Sequence, residues 1–197
     1  KNISLGKITT VDLQNPLKIL LFYENFNSVI VLDNQLNETQ KINFSDHTIP
    51  IVASAIGIAS QNQLWIYNTM NQQLGLYDYL GNNYKTISVP FTENIKNYSS
   101  DFNVFHWIDN KNNWYVCDIF GKIISKGIIP DYDSVTIINE NQFLYSKNSI
   151  LILEDVEKGK KTEIEISEKT FKKFCYKDQI LSIFTSAGIT NYKITIP

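Results

Sequence analysis

One strand pattern recurs five times along the chain, and this repeat constrains the fold more than any other feature of the sequence. Each copy holds a β-branched and aromatic run, a short polar turn, and a second run that ends at an acidic or tight turn. The copies span residues 17–33, 63–78, 104–118, 143–154 and 179–192. Their equivalent positions lie 45, 40, 36 and 39 residues apart, a period typical of four-stranded propeller blades. The sequence therefore predicts an all-β fold, a five-bladed β-propeller.

Within each copy the two runs predict the second and third strands of a blade, joined by a hairpin turn. A first strand is expected upstream of each hairpin, at 9–13, 51–59, 95–99, 134–138 and 171–176. A fourth strand is expected downstream of the first four hairpins, at 39–44, 84–89, 122–125 and 162–166. The turns that precede these fourth strands begin at or next to acidic residues, which favour tight turns.

The fifth copy lacks a fourth strand of its own, so we expect residues 3–8 to complete it and to close the propeller. Such a closure hides two sheet edges that would otherwise invite aggregation. Residues 1–197 are then expected to form a single β-propeller domain. Two packed sheets or an open barrel is the alternative architecture. Only 167–174 could carry a turn or two of helix.

Charge and composition exclude several classes of partner. All 18 basic residues are Lys, and 20 acidic residues leave a formal net charge of −2, which creates no field that would gather nucleic acid. The absence of Arg also removes the planar fork used for bidentate phosphate recognition. No apolar run approaches the ~20 residues needed to span a bilayer, so no membrane-spanning segment is expected.

No motif carries a recognisable chemistry, and no catalytic, cofactor-binding or metal-binding residue is predicted. His47 and His106 lie in different copies, the first expected in a solvated loop and the second in a strand. Cys117 and Cys175 lack metal or redox spacing and are expected to be buried strand cysteines. Carboxylates at Asp12, Asp101, Glu140 and Asp178 flank predicted first strands, where a turn role explains them without a glycosidase mechanism. We therefore predict that the chain is not an enzyme.

Two kinds of binding protein remain open. A lectin-like propeller would bind carbohydrate through similar sites on each blade, but Trp65, Trp107 and Trp114 do not recur at equivalent positions. A protein-interaction platform needs no special motif, because the sheets fix a wide rim of loops at little ordering cost. Aromatic residues near the predicted turns are candidate anchors, namely Tyr23, Phe26, Tyr79, Phe91, Trp114 and Tyr132. Protein binding is the preferred hypothesis and carbohydrate binding the alternative.

Three segments, at 15–23, 59–67 and 75–79, carry a family resemblance. They resemble a small five-bladed propeller-like envelope protein of Bacteroidetes, which is similar in turn to the plug subunit of the type 9 secretion translocon. The resemblance implies a periplasmic protein that takes part in protein secretion. It also implies a protein partner, a large outer-membrane β-barrel, whose periplasmic mouth the propeller would plug. It supplies no catalytic residue and no cofactor.

Overall fold

The computed structural model describes residues 5–47 and 50–196. Over these ranges the chain forms 19 strands in five antiparallel sheets, each built in sequence order. The first sheet contains β1 (Thr10–Asn15), β2 (Lys18–Tyr23), β3 (Ser28–Leu32) and β4 (Glu38–Asn43). The second contains β5 (Ala53–Ile58), β6 (Gln63–Asn68), β7 (Gln73–Asp78) and β8 (Asn83–Thr86).

The third sheet contains β9 (Ile95–Ser100), β10 (Val104–Asp109), β11 (Asn113–Asp118) and β12 (Ile123–Ile128). The fourth contains β13 (Ser134–Ile137), β14 (Gln142–Lys147), β15 (Ile150–Asp155) and β16 (Lys160–Ile164). The fifth contains β17 (Lys173–Lys177), β18 (Ile180–Phe184) and β19 (Ile189–Lys193). The predicted fold class, an all-β five-bladed β-propeller, is confirmed.

Asparagine and glutamine make the hairpins between second and third strands possible. In four of the five sheets this turn holds a residue in the left-handed region, namely Asn27, Gln72, Asn112 and Asn148, with φ between 47° and 64°. Asn tolerates this conformation better than most residues because its short amide can bond the local backbone. Each turn thereby fixes the register of the two strands that it joins.

The described chain divides into two compact units, Lys1–Ser125 and Lys126–Pro197. In the first unit, Phe22 and Val29 of the first sheet pack with Ile56 and Leu64 of the second in one buried cluster. A second cluster joins the second and third sheets through a continuous ring stack, Tyr67–Phe91–Trp107–Tyr115, with centroid spacings of 4.8, 4.6 and 5.1 Å. In the second unit, Leu144, Phe174 and Ile183 share the core of the fourth and fifth sheets.

Two local expectations differ from the structure over the described residues. The closing strand at 3–8 lies partly outside the described residues, and its described part, 5–8, is not in a strand. Leu5 instead packs with Tyr23 and Ile30, so its apolar side chain is buried against the first sheet. The described part of the chain adds no fourth strand to the fifth sheet. No helix forms over 167–174, because β17 already begins at Lys173 and extends the chain. The single domain over 1–197 stays a prediction.

Candidate functional site

The first strands of the three sheets in the first unit run in the same direction. The Tyr98 hydroxyl on β9 donates to Oγ1 of Thr10 on β1 (3.2 Å) and accepts from the N–H of Ile56 on β5 (3.4 Å). One level further along, Asp12 on β1 accepts from the N–H of Ile58 on β5 (2.7 Å). Because each sheet is an antiparallel meander, the turns after first and third strands all lie at one end of this unit. We call this end the turn edge.

The turns after the third strands are each built on an aspartate. Oδ1 of Asp33 accepts from the N–H groups of Gln35 and Asn37, both at 2.8 Å. Asp78 and Asp118 bond the backbone N–H groups of their own turns in the same way, at 2.9–3.0 Å. Such side-chain bonds replace the backbone pairing that the turn loses. For Asp33, the N–H of Asn37 and then its side-chain amide hold the pKa of the carboxyl below the usual value, so it stays anionic.

A large apolar side chain projects from each of these three turns. Leu36, Leu80 and Phe120 are 66%, 70% and 86% exposed. The equivalent turn of the fourth sheet, where Asp155 accepts from the N–H of Lys158 (2.9 Å), carries charged residues at its tip instead. The turn geometry therefore does not require an apolar tip, and the three tips need another explanation.

Two of the three turns have a constrained backbone. Leu36 adopts a left-handed backbone with φ of 65°, which costs a residue with a Cβ roughly 1–2 kcal/mol. Gly121 follows Phe120 with φ of +86°, and an added Cβ there would lie 2.7 Å from the carbonyl carbon of Ile87. That turn is pressed against the backbone of the β8–β9 connection. A strained or tightly packed loop presents its side chains with little further loss of entropy on binding.

The charge of the turn edge is mainly negative. Four aspartates lie in its turns, at Asp33, Asp78, Asp101 and Asp118, against lysines at Lys18 and Lys122. The Lys18 ammonium donates to Oδ1 of Asn62 (2.9 Å) and to the Tyr79 hydroxyl (2.7 Å). An apolar surface with acidic flanks can bind an apolar surface flanked by basic groups.

A polar cavity of about 520 Å³ opens at the opposite end of the first unit. We call it the first-strand cavity, because residues of β1, β5 and β9 line it together with residues of the neighbouring turns. Tyr98 lies in its wall, and burial raises the pKa of its hydroxyl. The cavity was not predicted from the sequence.

Most of the predicted aromatic anchors are core residues. Tyr23 and Trp114 are each 1% exposed, and Phe91 is part of the ring stack between the second and third sheets. Tyr79 packs against the core of the first two sheets. Of the six candidates only Phe26, at 49%, is an exposed side chain, and it lies at the end opposite the turn edge.

The titratable residues singled out from the sequence do not converge on one site. His106 is buried in β10 as expected, whereas His47 is half-buried, with Nε2 3.0 Å from the Tyr77 hydroxyl. Burial raises the pKa of Cys117 to about 12, but Cys175 is exposed, contrary to the prediction. In the described ranges no group of three His, Cys, Asp or Glu residues is placed to hold a metal ion.

The four carboxylates are explained by local structure. Asp101 accepts from the N–H groups of Asn103 (2.7 Å) and Val104 (2.9 Å) in the β9–β10 turn. Glu140 and Asp178 also lie in turns between first and second strands. Asp12 differs, because it lies within β1 and bonds β5. Its role is to join two sheets.

Comparison with known proteins defines the fold but no family, and no family model matches the chain. A protein of Acanthamoeba polyphaga mimivirus, named for a BTB/POZ domain, is 29% identical over 165 residues. That match covers 79% of this chain but only 31% of the viral protein, so the chain spans about a third of its relative.

Several solved structures share this fold. Streptogramin B lyase has a TM-score of 0.56 at 12% identity, over 95% of this chain and 68% of the lyase. Virginiamycin B lyase of Staphylococcus aureus has a TM-score of 0.53 at 15% identity, over 91% and 67% of the two chains. Hsv2 of Kluyveromyces lactis has a TM-score of 0.64 at 11% identity, over 93% and 59%. Similarity at these identities shows the fold alone.

The prediction that the chain is not an enzyme is wrong, because it rested on the absence of a recognisable catalytic motif. Streptogramin B lyase and virginiamycin B lyase are enzymes and share this fold, so a propeller without a familiar motif does not exclude catalysis. The fold alone therefore does not decide between catalysis and binding. No helix in the described residues is long and apolar enough to cross a membrane.

Proposed function

We propose that this chain binds a protein partner through the turn edge of its first unit. The observation that carries the proposal is the repeated exposure of a large apolar tip, Leu36, Leu80 and Phe120, on three aspartate-held turns. Exposed large apolar groups rimmed by polar residues are a feature of protein interaction sites. Large, rigidly held side chains also supply most of the binding energy in such interfaces.

The partner surface is apolar with lysine or arginine at its border. Apolar groups would pack on the three tips, and the basic groups would face the turn aspartates. Because these charges lie at the rim, they would contribute more to association rate and selectivity than to affinity. The mimivirus relative suits this arrangement, since the matching segment is one part of a longer protein named for a different domain.

The test compares two triple variants of the full chain. The first, Leu36→Asn, Leu80→Ser and Phe120→Ser, removes the tips. The control, Phe26→Ser, Val52→Ser and Met70→Ser, removes side chains that are 49%, 44% and 64% exposed at the other end of the same unit. Exposed substitutions of this kind change stability by about 0.5 kcal/mol or less. Both variants should therefore melt close to the wild type.

Binding is measured by titration of the purified partner, identified first by cross-linking in the cell of origin. We expect the tip variant to lose at least tenfold in affinity and the control to retain wild-type affinity. Raising the salt concentration should slow association. A tip variant that binds as tightly as the wild type, or a control that weakens as much, would contradict the proposal.

A finer hypothesis rests on the family resemblance alone: the partner is a large outer-membrane β-barrel, and the chain plugs its periplasmic mouth during protein secretion. A stiff propeller with apolar tips suits reversible docking at a channel rim. Cell fractionation and copurification with the barrel test it. Recovery of the chain in a compartment other than the periplasm would reject this hypothesis, yet leave binding through the turn edge open to the variant test above.

A further inference from the structure

The first-strand cavity has the size of a small-molecule site. Its volume of about 520 Å³ lies within the ~300–1,000 Å³ of typical ligand pockets. It opens at the end of the first unit that carries the Phe26 and Met70 turns, away from the turn edge. A ligand bound here would not compete with a partner at the apolar tips.

The lining consists of hydroxyl and amide groups more than apolar ones. Four of its side chains form no hydrogen bond or ion pair with the described residues: the Glu24 carboxylate, the Ser54 hydroxyl, and the amides of Gln72 and Asn94. They include donors and acceptors, and they come from different sheets and turns. A ligand that satisfies them needs several groups that can both donate and accept, as hydroxyls do.

The floor of the cavity is held in place by its own bonds. The Tyr98 hydroxyl donates to Thr10 and accepts from Ile56, while Oγ1 of Thr9 accepts from the N–H of Glu24 (3.2 Å). The Tyr67 hydroxyl donates to the carbonyl of Phe91 (3.3 Å). These bonds fix the wall before any ligand arrives, which lowers the entropy cost of binding.

The charges of the cavity are balanced. Glu24 supplies a carboxylate and Lys96 an ammonium, whose Nζ donates to Oδ1 of Asn112 (2.7 Å). Opposite charges in one cavity create little net attraction for either sign of ion. The lining therefore favours a neutral ligand over a phosphate or a polyamine.

From these features we propose that the first-strand cavity binds one small neutral polyhydroxylated molecule, such as a monosaccharide or disaccharide. The Glu24 carboxylate accepts from a ligand hydroxyl, and the Ser54, Gln72 and Asn94 groups bond the others. This is a single site made where three sheets meet, which differs from a lectin with one sugar site on each blade.

The experiment is saturation-transfer NMR on the full chain, followed by calorimetric titration. The probes are glucose, galactose, mannose, N-acetylglucosamine, lactose and cellobiose. We expect at least one of them to bind with a Kd of about 1 mM or tighter. Affinity should not change between low and high salt, because the ligand is uncharged.

Two variants locate the site. Glu24→Ala removes a charged acceptor and should weaken binding about tenfold, whereas Glu38→Ala, an exposed carboxylate on β4, should have no effect. Ser54→Leu places an apolar side chain in the wall and should abolish binding, while circular dichroism and melting temperature report whether the variant folds.

Three results would overturn this proposal. They are no binding by any of the six sugars at concentrations tenfold above the expected Kd, equal loss with Glu24→Ala and Glu38→Ala, and a folded Ser54→Leu variant that binds as tightly as the wild type. The triple variant of the apolar tips should bind the sugar as the wild type does, so failure of either proposal can be distinguished from failure of the other.

Discussion

The contact between Gly75 and Tyr84 is expected to determine how firmly β8 is held on β7. Gly75 lies on β7, and the Tyr84 ring from β8 covers it so closely that an added Cβ would lie 2.5 Å from Cζ of the ring. Tyr84 is 8% exposed and belongs to the core cluster of the first two sheets. Leu80 lies in the turn between these two strands, so the contact also supports one apolar tip.

Gly75→Ala should lower the free energy of unfolding by about 1–3 kcal/mol, the usual cost of overpacking a core. Tyr84→Ala should cost about 3–5 kcal/mol, because a buried aromatic ring is lost and a cavity remains. In the double variant the added methyl group fills part of that cavity. The double variant should therefore be no less stable than Tyr84→Ala alone, which gives a coupling energy of about 1–3 kcal/mol.

Urea unfolding of the four proteins gives the cycle, provided that the m-values agree. Tyr84→Phe is the matched control, because the ring remains and only the hydroxyl is lost. In that background Gly75→Ala should keep most of its cost, because the ring carbons remain in the way of the added Cβ. If Gly75→Ala is equally destabilising with and without the Tyr84 ring, the close contact is not the cause and this reasoning is refuted.

Two further predictions concern titratable groups. The pKa of Asp155 is lowered from its ordinary 3.8, mainly because its carboxylate accepts from the N–H of Lys158 and, to a smaller extent, from the Gln142 side chain. The ionised carboxylate therefore stabilises the fold above pH 3.8. This contribution is lost as the pH falls through the lower pKa that Asp155 has in the folded state. The stability difference between the wild type and Asp155→Asn should therefore shrink below pH 3.8, and a constant difference down to pH 2 would contradict this. A thiol reagent such as dithionitrobenzoate should modify Cys175 in the native protein and Cys117 only after unfolding. The reason is that Cys117 is buried with a pKa of about 12. Rapid modification of Cys117 in the native Cys175→Ser variant would refute this prediction.

The strand pattern could be predicted because its signals are local. Alternating β-branched and aromatic residues mark the strands, and polar turn residues separate them, so the second and third strands match the structure closely. The first and fourth strands shift by up to a few residues, as at β12, which spans Ile123–Ile128 where 122–125 was expected. Strand ends depend on pairing partners, which the local sequence does not specify.

The burial of the aromatic residues could not be predicted from local sequence signals. Phe91 follows a fourth strand and looks like a loop anchor, yet it stacks between Tyr67 and Trp107 from two different sheets. The first-strand cavity has the same origin, because Thr10, Ser54 and Tyr98 meet only once three sheets are packed together. Contacts between residues of different sheets are set by tertiary packing and leave no periodic signal in the sequence.

The apolar tips, in contrast, left a signal that could have been used. An aspartate ends or directly follows the third strand in each of the first three sheets. A large apolar residue comes two or three positions after it, at Leu36, Leu80 and Phe120. The other residues of these turns are polar residues or glycine, which suit a solvated turn, except Tyr79 and Ile119, which pack against the core. A leucine in the left-handed conformation is a poor choice for the stability of a turn. Solvation disfavours all three side chains, and backbone geometry disfavours Leu36 as well. A partner surface that covers the tips, as proposed above, would account for them.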